Sequence, residues 1–134
     1  MLEHFQKQKE KKNMLLDKHD KIVKTLDFRG TSFKELDNLN GEQIFKIVHT
    51  ALQMVNSRCT DEFKVTDLAP KNGWDGTVFE PMANACDDKN HADRLFGVII
   101  KQALIMTPIL FKQTASPTEQ DHEGARYKRV AMAY

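Results

Sequence analysis

The sequence predicts an α+β fold, mainly helical, in which a three-helix core is closed by a C-terminal hairpin and preceded by an N-terminal helix. Three observations carry this. An apolar helical period runs through residues 91–106, where Ala92, Leu95, Phe96, Ile99, Ile100, Ala103 and Met106 recur at i, i+3, i+4 and i+7. A second runs through Ile44, Ile47, Val48, Ala51, Leu52 and Val55. Past Pro108 the pattern changes to two short runs, 109–114 and 125–134, on either side of a stretch rich in turn residues, ASPTEQDHEG.

A chain of 134 residues suits one domain with an extension. Its composition, 40% hydrophobic and 29% charged, is that of an ordinary globular protein and argues against wholesale disorder. No apolar run approaches the ~18–20 residues of a membrane span. The opening MLEHFQKQKEKKN lacks the apolar stretch of a signal peptide, so a cytoplasmic protein with no membrane partner is expected. Cys59 and Cys86 form no CxxC pair, and thiols are expected in place of a disulfide. His49 and His91 do not complete the close ligand pairs of a zinc site, so neither a metal nor another cofactor is expected.

In chain order, residues 1–30 read as a basic unit with a helix over 3–26 that carries Lys7, Lys9, Lys11 and Lys12. Its pairs Leu15–Leu16 and Ile22–Val23 lie seven residues apart, which suits docking on the domain or a short homodimer seam. Residues 27–39 form a connector, and residues 31–134 the domain. Asn40 and Gln43 have the spacing of a reciprocal cap and open a helix that ends near Ser57. Phe63 and Val65 alternate with Lys64 and Thr66, the period of a brief strand, and Thr66 or Asp67 can cap a helical turn after it. Residues 70–76 form an irregular turn around Trp74, which is expected to plug the core beneath the loop. Thr77 and Glu80 match a capping box for a short helix that buries Val78, Phe79, Met82 and Ala85, with Pro81 in its first turn. Asp88 or Asn90 then caps the long helix, Asp93 lies in its first turn, and Pro108 ends it.

Helix 40–57, strand 62–66, broken second helix 66–86, third helix 89–106 and wing 109–133 follow the order of winged helix-turn-helix domains. FKVTDLA resembles the strand-into-second-helix step of that superfamily, and ADRLFGVII resembles its third helix. The resemblance implies that the third helix enters the major groove of double-stranded DNA and that the wing touches the neighbouring backbone. It thus implies a small, non-catalytic DNA-binding protein of transcription regulation, with contacts from Arg94, Lys101, Lys112, Arg126, Lys128 and Arg129.

Charge patterning supports a second function class. Residues 1–30 carry eight basic and five acidic side chains, and residues 94–134 six and three, +3 each; residues 60–93 carry three and eight, −5. The acids Asp67, Asp75, Glu80, Asp87 and Asp88 would repel phosphates. The alternative is a protein-binding inhibitor or adaptor of phage or plasmid type, offering an acidic surface around residues 61–93 to a basic protein. Trp74 and Phe79 would anchor it among Asp75, Glu80, Asp87 and Asp88. No enzyme is expected. His49 reads as a core histidine, Cys86 and His91 lack a spatial argument as nucleophile and base, and Asp87–Asp88 reads as a cap.

Overall fold

The computed structural model describes residues 14–24, 38–57, 62–86, 88–115 and 125–130. Their elements are β1 (Leu15–Leu16), β2 (Ile22–Val23), α1 (Gly41–Asn56), β3 (Phe63–Lys64), α2 (Val65–Leu68), α3 (Glu80–Asn84), α4 (Lys89–Met106), β4 (Phe111–Ala115) and β5 (Arg126–Arg129). The fold is α+β, with helices packed on one face of a small sheet of strand order β2-β1-β4-β5-β3. β1 runs parallel to β4, and the other neighbouring strands are antiparallel.

α4 is the axis of the core. Ala92, Leu95, Phe96, Ile99, Ile100 and Ala103 are buried as the helical period predicts. Leu104 and Ile105, off that stripe, are buried as well, whereas Met106 on it is 37% exposed, because the end of the helix is covered from a second side. Asp88 caps α4 by accepting the His91 N–H at 2.8 Å. Asp93 falls beyond the first turn, since the helix already begins at Lys89.

The reciprocal cap of α1 forms as predicted: Asn40 Oδ1 accepts the Gln43 N–H at 2.8 Å, and Gln43 Oε1 accepts the Asn40 N–H at 3.0 Å. α1 packs on α4 through Ile47, Ala51 and Val55. The two C-terminal ends are tied by the buried Thr107 hydroxyl, which donates to Asn56 Oδ1 and accepts the Ile109 N–H at 3.4 Å.

After β3 the chain turns directly into α2, where Asp67 accepts the Lys64 N–H at 3.0 Å. The Thr77–Glu80 box does not form, because α3 starts at Glu80, two residues later than that box requires. Thr77 Oγ1 instead donates to the Trp74 carbonyl at 2.6 Å and accepts the Phe79 N–H at 3.2 Å. Glu80 reaches back to the Gly76 N–H at 3.1 Å. Pro81 does sit in the first turn of α3. Trp74 is half-buried with its ring 5.1 Å from Phe96 and 6.1 Å from Phe79, the core plug that the sequence predicts.

The helix expected over residues 3–26 is corrected within the described residues, since 15–16 and 22–23 are strands of the sheet. The reason is the turn between them. Asp17 Oδ1 accepts the His19 N–H at 2.8 Å and the Lys21 N–H at 2.9 Å, while the Asp17 N–H donates to the Lys21 carbonyl at 2.9 Å. Asp20 takes a left-handed φ of 61°, which Asp tolerates better than most residues. These bonds compete with helix for the same backbone groups. Strand geometry then buries Leu15 in the main core and Leu16 in a smaller cluster with Met14 and Leu110 on the opposite face. Both leucines are inside the domain, so neither is free to form the seam of a dimer. Residues 3–13 and 25–26 of the expected helix, and the connector as far as residue 37, lie outside the described residues.

Candidate nucleic-acid interface

The hairpin follows from the end of α4. Thr107 is extended at the helix terminus, and β4 starts four residues later. β4 pairs with β5 in the register Phe111↔Arg129, Lys112↔Lys128, Gln113↔Tyr127 and Ala115↔Arg126, with a bulge between Gln113 and Ala115. β5 pairs with β3 as Phe63↔Tyr127 and Lys64↔Arg126. Phe63, Phe111 and Tyr127 are buried, with Phe63 centred 6.0 Å from Phe111 and 6.1 Å from Tyr127. Burial pushes the Tyr127 phenol above its ordinary pKa, so it is neutral across the physiological range.

Because side chains alternate across a strand, the residues between these aromatics share the opposite face. That face carries Lys64, Lys112, Arg126 and Lys128, continued across β1 and β2 by Leu16, partner of Lys112, and Ile22, partner of Leu16. Lys112 lies directly across from Lys128, and Lys64 directly across from Arg126. Opposed like charges destabilise a strand pair. Acids at the rim offset part of this: Lys112 Nζ is 2.7 Å from Asp20 Oδ1, and the Arg126 guanidinium is 3.5 Å from Glu62.

The six cations singled out from the sequence are therefore divided. Lys112, Arg126 and Lys128 share the face of the sheet that also buries Leu16; Lys128 is exposed there, and Lys112 and Arg126 are half-buried. Arg129 alternates to the side of Tyr127 and is half-buried. Arg94 is exposed on α4 beside exposed Asp93, and Lys101 on the same helix is half-buried. Sequence reasoning missed Lys64, Asp20 and Glu62. The strand alternation that put Phe63 and Val65 inside already put Lys64 outside, but its cross-strand partner is set by register alone.

The acidic surface proposed as an alternative is built differently from its expectation. Phe79 is 1% exposed and its ring meets Phe96 edge-on at 5.1 Å, so it offers no anchor to a partner, and Trp74 is half-buried against the same rings. Asp67, Glu80 and Asp88 each accept a backbone N–H. Asp75 is exposed, and Asp87 lies outside the described residues.

His49 is exposed and stacks on Phe45 at 5.6 Å, which corrects its assignment to the core: the turn of α1 that carries it faces away from α4. The Cys86 thiol donates to the Met82 carbonyl at 3.3 Å. Cys59 lies outside the described residues. An open concavity of about 380 Å³ is lined by Met54, Ser57, Asp67 and Leu68, and Asp67 there is already bonded to the Lys64 N–H. Among the described residues, no group of three or more His, Cys, Asp or Glu side chains is placed to hold a metal ion, and no helix is long and apolar enough to cross a membrane. Comparisons with protein-family models, curated proteins and solved structures return no match.

Proposed function

We propose that the chain is a small, non-catalytic regulatory protein of winged helix-turn-helix type that binds double-stranded DNA. The element order α1, β3, α2–α3, α4, β4–β5 supports this reading, as does the β3-β5-β4 arrangement that ties the hairpin to the strand after the first helix. Arg94 and Lys101 on α4, with Lys112, Arg126, Lys128 and Arg129 on the hairpin, are the side chains offered to phosphates. The observation that carries the reading is the concentration of cations on the hairpin of a chain whose formal net charge is only +1.

The test is fluorescence anisotropy of a labelled duplex titrated with the full chain. Four phosphate contacts give a log–log salt slope near −3.6 and a loss of roughly 100-fold in affinity between about 50 and 200 mM salt. An affinity that does not change over that range rules out a phosphate-driven mode. So does an absence of binding at the lower salt.

A further inference from the structure

We infer that Asn72 is a site of spontaneous covalent modification, at which the side-chain amide is lost through attack by the Gly73 nitrogen and aspartate or isoaspartate is left two residues before Trp74. Water is the one co-reactant, and no duplex or other partner is involved.

The chemistry favours an Asn that precedes Gly, because the following backbone nitrogen reaches the side-chain carbonyl carbon with no Cβ in its path. The bond from the Gly73 nitrogen to Asn72 Cγ forms, the Cγ–Nδ2 bond breaks, and the proton of the Gly73 amide leaves with Nδ2 as ammonia. Water then opens the five-membered imide. Opening at Cγ gives aspartate, and opening at the backbone carbonyl gives isoaspartate, with one more methylene in the main chain. An Asp before Gly closes the same ring with loss of water. The chain has three such junctions, Asn40–Gly41, Asn72–Gly73 and Asp75–Gly76, and the first two are alike in sequence.

Space does not separate the three. All are exposed, and a Cβ added at any of the three glycines would meet nothing within 4 Å. Bonding separates them. Asn40 Oδ1 accepts the Gln43 N–H at 2.8 Å in the reciprocal cap of α1, so its carbonyl is turned to the helix and away from the Gly41 nitrogen. At Asp75 the nucleophile is occupied: the Gly76 N–H donates to Glu80 Oε2 at 3.1 Å, and a carboxylate beside that nitrogen opposes its deprotonation. Asn72 has neither restraint. No hydrogen bond among the described residues holds its side chain, and the Gly73 N–H meets only the Pro70 carbonyl at 3.4 Å, longer than the roughly 2.7–3.2 Å of an ordinary bond. Trp74, the only tryptophan of the chain, packs 5.1 Å from Phe96, so a methylene inserted in the turn before it displaces the ring.

The experiment incubates the full chain in mildly alkaline buffer, natively and in concentrated urea, and follows each junction by peptide mapping at acidic pH. In the native protein Asn72 should exchange NH2 for OH several-fold faster than Asn40, with Asp75 unchanged, and Trp74 emission should drift on the same time course. In urea the two Asn-Gly junctions should convert alike. Q43A should release Asn40 and E80A should release isoaspartate formation at Asp75, while N72Q should abolish the drift in emission. Thermal melts establish that each variant is folded at the incubation temperature, and the comparison of native protein with urea does not depend on any variant. Native Asn40 converting as fast as native Asn72 overturns the assignment. So does an Asn72 that stays intact in the native protein while it converts in urea. Conversion at Asn72 with unchanged emission overturns the coupling to Trp74.

Discussion

A hydroxyl shut off from water has to find its partner inside the protein, and Thr107 finds Asn56 across the ends of α1 and α4. Thr107→Val keeps the shape, removes the donor and leaves the Ile109 N–H without its acceptor. The expected cost is about 1–2 kcal/mol, read as a lower urea midpoint at unchanged slope. Asn40→Ala removes one half of the α1 cap and should cost about 1 kcal/mol by the same measurement. Asp17 gives a pH dependence. The Lys21 N–H, foremost, and the His19 N–H stabilise its charged form and hold its carboxyl below the ordinary value. Its folded pKa being lower than its unfolded one, the contribution is complete above the unfolded pKa and is lost as pH falls through the folded one, below about pH 4. Amide exchange at Leu15 and Leu16 should quicken in that window in the wild type and change less in Asp17→Asn. Equal pH dependence in the two proteins would remove Asp17 as the cause.

Elements with one period and a local cap were legible in the sequence, and those decided by pairing were not. α1 and α4 each announce a stripe and a capping side chain a few residues away, so their bounds come from the residues themselves. Leu15–Leu16 and Ile22–Val23 are ambiguous in isolation, because a seven-residue spacing suits a helix seam and a two-stranded turn equally. The Asx turn at Asp17 and the pairing of Leu16 with Lys112, 96 positions away, resolve it, and neither shows in a periodicity. His49 was misplaced for a related reason: it lies among apolar neighbours in sequence but on the outer face in space. The hairpin cations were found, whereas their opposition across strands needed the register. That opposition has a consequence for β5 itself. Lys128→Thr removes one member of a repelling pair and adds a β-branched side chain, so it should raise stability by about 0.5 kcal/mol. A calorimetric scan that shows destabilisation would mean that Lys128 makes a favourable contact outweighing the repulsion.

Across the whole molecule, a formal net charge of +1 conceals local concentrations of one sign. Acids of the middle segment, Asp67, Glu80 and Asp88, are engaged by backbone N–H groups around the short helices and the start of α4, while Lys112 and Lys128 face each other across the hairpin. Salt should therefore act on stability differently with and without DNA. In the protein alone, salt screens the Lys112–Lys128 repulsion and the Lys112–Asp20 and Arg126–Glu62 attractions together, and should change the melting temperature little. With duplex at about 100 times its Kd at low salt, linkage adds roughly 2.7 kcal/mol. A 100-fold weaker Kd at about 200 mM salt leaves only about 0.4 kcal/mol of that. The melting temperature should therefore fall with salt when duplex is present and change little when it is absent. Melts of the full chain at the two salt concentrations, with and without duplex, read both slopes. Parallel slopes would show that the cationic face does not meet the duplex.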